Sequence, residues 1–327
     1  MERRHPMMRA DGGSMQDSIS LEFSQKPSEL RYMLGAFRRS PGLSRWRPAT
    51  RFRASWARHR VEPRKVAELA ASAGAPASAG VSILYPHVFG FPLHMAILTH
   101  PEFPIPIWRI LQIRNRLVQH APIAMGATID FDVRVSAQRI LARGVEIDLH
   151  TAVRSKRRLV WESLVTFYSR GLFGHAETRP ASAQAPEVAS HTVLHWQMPR
   201  GGAWRFGQLI GDHNGIHLSG WYARLFGFRR ALYHPPVVLG HCLSRIPTPK
   251  LEDVRRLDAW LKGPVYRGAT VALHVDPDHA ARSCAFALMM TSETRPSLVG
   301  RITSCVPEAR GSSPDAPILA DGSNGAG

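Results

Sequence analysis

The period of the hydrophobic pattern changes along the first half of this chain, and this change constrains the fold more than any other feature. Phe91–Leu98 is a continuous apolar run, as expected of a buried helix, whereas residues 127–140, "ATIDFDVRVSAQRI", alternate apolar and polar side chains. Residues 144–155 and 159–170 repeat the alternation. Strict alternation is typical of a strand with one covered face. The first half therefore predicts a helix followed by a meander of antiparallel strands.

Two further helices are predicted before that run. Residues 28–39, "SELRYMLGAFRR", and residues 62–74, "EPRKVAELAASAG", carry apolar side chains at helical spacing. Pro86 and Pro92 are expected to bound a short separate piece, because proline interrupts the hydrogen bonds of a helix interior.

The second half has the same order of elements. A helix is predicted over residues 214–227, and strands follow within residues 256–268, 269–278, 283–293 and 297–306. A helix wrapped by a curled antiparallel sheet buries the helix and covers one face of the sheet. The predicted fold class is therefore α+β, with a central helix and a curled antiparallel sheet in each of two repeats.

Composition sets the predicted boundaries of these repeats. The repeats span residues 17–174 and 192–306, and the intervening residues 175–191 read as a linker, because they are poor in large apolar side chains and contain two prolines. Residues 1–16 and 307–327 are predicted to be disordered, since the tail is rich in Gly, Ser, Pro and Ala.

Charge and targeting signals narrow the class of protein. No run of eighteen apolar residues occurs, the basic N-terminus lacks the apolar stretch of a signal peptide, and the three cysteines are scattered. These features predict a soluble cytoplasmic protein without a membrane span. The net charge of +17 comes mostly from Arg. Three explanations are open: a general bias towards Arg on the surface, binding of an anionic ligand, and binding of nucleic acid. The basic, aromatic-rich residues 37–60 fit RNA, but no nucleic-acid-binding motif accompanies them, so no specific nucleic-acid partner is predicted.

A short polar cluster is the strongest functional signal. Gly211, Asp212, Asn214 and His217 lie within seven residues, directly before an amphipathic run. One interpretation is structural, because Asp and Asn side chains cap helices. A cap does not explain an acid, an amide and an imidazole together, so a catalytic interpretation is also required.

The cluster resembles the hydratase-2 signature of MaoC-like dehydratases, the (R)-specific enoyl-CoA hydratase group. That signature begins with an aromatic residue and continues through Gly-Asp-x-Asn-Pro-aliphatic-His to a small residue. The matching positions here are Phe206, Leu209, Gly211, Asp212, Asn214, Ile216, His217 and Ala223. The likeness extends over residues 60–306, including "LKGPVYRGATVAL" at 261–273, and implies a double hot-dog fold.

The resemblance implies reversible hydration of trans-2-enoyl thioesters to (R)-3-hydroxyacyl thioesters. Asp212 and His217 are the expected catalytic pair that positions and activates a water, with Asn214 and Gly211 in support; such acid–base help gives about 10²–10⁴-fold. No metal or separate cofactor is expected, because coenzyme A or the phosphopantetheine of an acyl-carrier protein carries the substrate. The first half lacks the motif and is expected to be the non-catalytic repeat, which widens the tunnel for bulky acyl chains.

Substrate contacts are expected from His234 and from basic side chains that meet the carrier's phosphates. The basic candidates are Lys262, Arg114, Arg116 and Arg267. Two repeats imitate a dimer within one chain, which predicts a monomer or a homodimer.

Departures from the signature keep two alternatives open. Gly215 replaces the usual Pro and Ile210 a small residue, while Pro235 follows His234 where the family usually has Gly. A proline has no N–H with which to polarise a thioester carbonyl. The alternatives are a non-catalytic acyl-thioester-binding protein and a hot-dog thioesterase.

Overall fold

The computed structural model describes residues 18–36, 51–76, 80–176, 184–189, 191–246 and 254–304. The predicted disordered ends, 1–16 and 307–327, lie outside these residues. Residues 177–183 and 190 of the predicted linker also lie outside them.

The first half contains six strands and three α-helices in its described part. They are β1 (Ile19–Phe23), α1 (Glu29–Ala36), β2 (Phe52–Arg60), α2 (Pro63–Ser72), α3 (Leu84–Leu98), a short 3-10 helix (Ile107–Arg109), β3 (Leu111–Gln119), β4 (Thr128–Leu141), β5 (Gly144–Ser155) and β6 (Arg158–Arg170).

The second half contains five strands and four helices in its described part. They are β7 (Thr192–Gln197), α4 (Ala203–Ile210), α5 (Gly215–Leu218), α6 (Gly220–Leu225), α7 (Pro235–Leu243), β8 (Val254–Leu261), β9 (Thr270–Asp278), β10 (Ser283–Met290) and β11 (Leu298–Ser304).

All described strands join one continuous sheet. Their order is β1-β2-β4-β5-β6-β3-β8-β11-β10-β9-β7, and every pair is antiparallel except β1 with β2. Strand β3 of the first half pairs with β8 of the second from Arg114↔Trp260 to Val118↔Arg256, which joins the halves edge to edge. The predicted α+β class with a large curled sheet is confirmed.

Helix α3 lies at the centre of the first half, against β2, β4 and β5. Twelve of its fifteen residues are buried, so it is apolar on nearly every side. The prediction that Pro86 and Pro92 bound a separate piece is wrong, because the helix continues through both. Pro86 lies in the first turn, where its missing N–H costs little, and tertiary packing on all sides outweighs the loss at Pro92.

The predicted helix over 214–227 is divided. It forms α5 and α6, because Ser219 between them has extended backbone angles. The buried helix of this half is instead α7, which contacts α2 and α3.

The basic stretch 37–60 is described from residue 51 onward. There Phe52 and Trp56 are buried in the core, and β2 carries them against β4. Aromatic rings in the core cannot stack on RNA bases, so this part of the stretch does not support RNA binding. Within the described parts of the chain, the helices lack the length and apolar character needed to cross a bilayer.

Candidate active site

The polar cluster forms a loop between two helices. Gly211 ends α4 with φ of 88°, a left-handed angle that favours glycine. Asp212 follows, and its Oδ1 accepts the N–H of Asn214 at 3.1 Å. Asn214 caps α5 by accepting the Ile216 N–H at 3.3 Å, which places His217 one turn into that helix. The capping and catalytic interpretations of Asn214 are therefore compatible.

Three side chains converge at the end of this loop. The Oδ2 of Asp212 lies 3.8 Å from Nε2 of His217 and 3.7 Å from Nε2 of His234. Both distances exceed a direct hydrogen bond, and each is short enough for one water to contact the carboxylate and an imidazole at once. His234 lies directly before α7. The fold brings it to this loop, and its position in the sequence alone does not show that it lies here.

The tautomer of His217 follows from its other nitrogen. Nδ1 lies 3.0 Å from the backbone carbonyl of Leu232, which can only accept, so Nδ1 carries the proton and Nε2 has a lone pair. Nε2 of His234 lies 3.3 Å from the backbone carbonyl of Asp212 and donates to it by the same argument. His217 thus presents a basic nitrogen towards the carboxylate.

Burial keeps both imidazoles neutral. His217 is 5% exposed and His234 1% exposed. Burial lowers the pKa of His217, although the Asp212 carboxylate opposes the shift. Burial, with His217 alongside, lowers the pKa of His234 to about 3. At neutral pH the group is a carboxylate beside two uncharged rings.

An N-terminal helix that the motif does not include supports the loop. The Tyr32 hydroxyl of α1 donates to the backbone carbonyl of Gly211, and Glu29 lies 3.2 Å from Nδ1 of His213. A Cβ on Gly211 would collide with the Tyr32 hydroxyl, a second reason for glycine there. Tyr32 and Glu29 lie far from the loop along the chain, so no local sequence pattern indicates these contacts.

The structure gives two of the departures from the signature a physical setting. A Cβ at Gly215 would lie 2.6 Å from the Tyr222 ring, so that ring, not only the missing proline, shapes the turn. Pro235 and Pro236 begin α7, so its first two positions offer no N–H. The N–H of Gly211 donates to Gly207 at 2.7 Å and is also used within the fold. The Gly211 N–H is therefore not free to polarise a thioester carbonyl in place of the N–H groups that the two prolines lack.

A cavity of ≈ 560 Å³ opens in front of the three side chains. Asp212, Asn214, His217 and His234 line one part of it. Most of its remaining wall is apolar and comes from both halves of the chain, namely Val88, Phe91, Met95, Ile107, Ile110, Phe167, Ile210, Phe228, Leu261 and Val265. The cavity therefore combines a small polar centre with an extended apolar wall.

The predicted basic contacts separate into two groups. Lys262 is exposed and lines the cavity. Arg114 is buried in the β3–β8 seam, where it pairs with Asp258 at 3.3 Å and lies over Trp260, and Arg116 pairs with the same carboxylate at 3.1 Å. Arg267 donates to the backbone carbonyls of Arg200 and Leu218. None of these three arginines lines the cavity in the described residues, because each guanidinium is used within the fold.

The three converging side chains also form a group that could hold a metal ion, since their ligand atoms lie within 4.8 Å of one another. Metal–imidazole bonds are about 2.0–2.1 Å long and lie in the ring plane. The rings of His217 and His234 stack with centroids 3.8 Å apart and planes 25° from parallel, and Nε2 of His234 carries the proton that it donates to the Asp212 carbonyl, so only Nε2 of His217 offers a lone pair here. This arrangement suits a shared water better than a shared ion.

Comparison with known proteins agrees with this fold. No protein-family model matches the chain. The 3-hydroxyacyl-thioester dehydratase X of Mycobacterium tuberculosis is 27% identical over 216 residues, which cover 66% of this chain and 76% of that protein. The crystal structure of HtdX from the same organism superposes with a TM-score of 0.63 at 24% identity, covering 77% of this chain and 100% of that one. A MaoC-like dehydratase from Phytophthora capsici gives 0.65 at 16% identity, covering 77% and 95%.

The fold is therefore that of the double hot-dog proteins. The resemblance to MaoC-like dehydratases that the motif predicts is confirmed by these similarities. The roles predicted for individual site residues stay predictions.

Proposed function

We propose that this protein interconverts trans-2-enoyl thioesters and (R)-3-hydroxyacyl thioesters. The related M. tuberculosis protein is a 3-hydroxyacyl-thioester dehydratase, which supports an enzyme of the hydratase or dehydratase class here. The observation that carries the proposal is the gap of 3.8 Å between Oδ2 of Asp212 and Nε2 of His217, at the wall of a largely apolar cavity.

The gap suits the water of the reaction. Hydration forms a bond between the water oxygen and C3, moves the π pair of C2=C3 towards the thioester carbonyl, and later protonates C2. The lone pair of His217 takes a proton from the water, and the Asp212 carboxylate stabilises the resulting charge. The pair returns a proton to C2, so that each turnover restores its starting state.

Asn214 supplies a donor for the charge that develops on the thioester oxygen. Its Oδ1 is held by the Ile216 N–H, its side-chain NH₂ donates no hydrogen bond to another described residue, and it lines the cavity. One donor at such an oxygen typically contributes about 10²–10³ in rate. This assignment offsets the loss of N–H groups at Pro235 and Pro236.

The proposal also covers the carrier of the acyl group, the cellular location and the oligomeric state. Lys262 meets a phosphate of coenzyme A or of phosphopantetheine, and no metal or further cofactor takes part. The enzyme works in the cytoplasm as a monomer or a homodimer, and the motif-bearing half supplies the chemistry.

The test is hydration of crotonyl-CoA and of a long-chain enoyl-CoA, followed at the enone absorbance. Asp212→Asn and His217→Ala are each expected to lower turnover by two or more orders of magnitude, with wild-type folding by circular dichroism. Wild-type protein that binds enoyl-CoA without turnover would favour the binding-protein alternative. Release of free coenzyme A thiol would favour the thioesterase.

A further inference from the structure

The apolar wall of the cavity contains two histidines that the proposed chemistry does not use. His87 and His94 lie seven residues apart on α3 and line the cavity from the first half of the chain. Seven residues make two helical turns, so both side chains share one face of α3. The repeat predicted to be non-catalytic therefore contributes polar groups to the acyl cavity.

The two histidines differ in how their hydrogen bonds are satisfied. His94 has Nε2 2.8 Å from the Thr151 hydroxyl of β5. His87 is 7% exposed, and its buried Nδ1 has no hydrogen-bond partner among the described residues. Leaving a buried polar atom unpaired costs about 1–3 kcal/mol, and native structures rarely retain such an atom without a reason.

Burial also fixes the charge of this wall. It lowers the pKa of His87 to about 4, and burial together with the nearby His87 lowers the pKa of His94 to about 3. Both rings are neutral at physiological pH. A neutral imidazole suits a neutral partner that donates or accepts a hydrogen bond, and burial disfavours the imidazolium that would attract a carboxylate.

We infer that His87 binds a hydroxyl group carried by the acyl chain, away from the thioester. The preferred substrates are thus thioesters of oxygenated acyl chains, not plain alkyl ones. The inference rests on the proposed function, because it assigns the cavity to the acyl chain. A site built to bind a substrate hydroxyl discriminates strongly against the analogue that lacks it, since its own polar group is then left unpaired.

The experiment measures binding and turnover separately. Dissociation constants are measured by titration calorimetry for saturated dodecanoyl-CoA and for isomers that carry one hydroxyl at successive carbons from C6 to the end of the chain. Hydration rates are measured for the matching trans-2-enoyl esters. At least one hydroxyl position is expected to improve both affinity and kcat/KM tenfold or more over the plain chain.

Variants on one helix locate the effect. His87→Leu removes the polar atom at similar size and should lower the hydroxyl preference at least tenfold, while His87→Gln, which can still hydrogen-bond, should restore part of it. Met95→Leu changes an apolar residue of the same wall and should keep the wild-type preference.

Two results would overturn the inference. One is an equal affinity for plain and hydroxylated chains at every position, which would mean that water satisfies His87. The other is a preference that survives His87→Leu. Failure to bind or hydrate any of the esters, plain or hydroxylated, would overturn the proposed function itself, which separates the two failures.

Discussion

The imidazole of His234 stacks on the imidazole of His217, with ring centroids 3.8 Å apart and planes 25° from parallel. The two residues are seventeen positions apart, and α6 and a loop lie between them. The contact fixes one face of the His217 ring, while the Leu232 carbonyl fixes its edge. His217 is consequently held in one orientation. A catalytic base needs this, because it must meet a water within a few tenths of an ångström.

His234 is therefore predicted to act as a positioning residue. His234→Ala removes the stack and hydrates His217, so kcat should fall tenfold or more and the acid limb of the pH profile should move up towards the ordinary histidine pKa. His234→Phe keeps an aromatic ring there and should recover part of kcat with the limb near its wild-type position. Measurement of kcat against pH for both variants checks this; equal losses and no movement of the limb would contradict it.

The wild-type pH profile follows from the burial of His217. Burial lowers this pKa below 6.5, the ordinary histidine value, so Nε2 stays unprotonated to lower pH than in a free imidazole. kcat/KM for enoyl-CoA hydration should therefore decline with a midpoint below pH 6.5. A decline centred at or above pH 6.5 would show that the essential base is not the buried His217.

Asn214 has two separable roles, which matched substitutions distinguish. Asn214→Asp retains an oxygen that caps α5 but loses the NH₂ donor, so kcat should fall about 10²-fold with little loss of stability. Asn214→Ala loses both, and the cap adds about 1 kcal/mol of destabilisation. Enone kinetics together with urea unfolding check both variants. Wild-type kcat in Asn214→Asp would remove the donor from the mechanism.

The local patterns of the sequence explain which parts of the fold were predictable. The alternation in β4, β5 and β6 follows from one covered face, and the motif placed Asp212 and His217 together because they are five residues apart on one loop. Both predictions needed only short-range information.

Features that depend on tertiary contacts were missed. Helix α7 is buried on nearly all sides and so shows no amphipathic period, although the Pro-Pro pair at its first turn is a recognisable start signal. Arg114 was placed at a phosphate because the sequence does not show that β3 pairs with β8, which puts Asp258 beside it. The Tyr32–Gly211 contact spans 179 residues and had no local signature.

Stability towards acid should be limited by buried neutral histidines. Burial lowers the pKa of five of them to about 3 or about 4, namely His59, His87, His94, His234 and His241. Below pH 6.5 these histidines bind protons in the unfolded chain but stay neutral in the folded chain. The free energy of unfolding therefore falls as pH falls. Each contributes about 1.4 kcal/mol per pH unit until its folded pKa is reached.

Urea unfolding between pH 7 and 5 measures this slope. The free energy of unfolding should decline throughout that window. In His87→Leu its slope against pH should be smaller by the contribution of about one proton. A free energy of unfolding that is constant from pH 7 to 5 would show that these histidines are not buried neutral.

The anchor between α1 and the catalytic loop gives the last prediction. Tyr32 is 7% exposed, and its hydroxyl donates to the Gly211 carbonyl one residue before Asp212. Tyr32→Phe keeps the ring and leaves that carbonyl without this donor, which should cost about 1–3 kcal/mol of unfolding free energy. Because Gly211 positions Asp212, kcat should also fall, whereas KM for enoyl-CoA should change little.

Glu29→Gln provides the matched comparison on the same helix. Glu29 pairs with His213 and Lys26, and among the described residues it makes no hydrogen bond to the loop backbone. Its side chain is 30% exposed, so its loss should affect kcat less than the loss of the Tyr32 hydroxyl. Urea unfolding and enone kinetics of both variants give the ranking. If Tyr32→Phe retains wild-type stability and kcat, α1 packs beside the loop without holding it, and Asp212 is positioned by α4 and α5 alone.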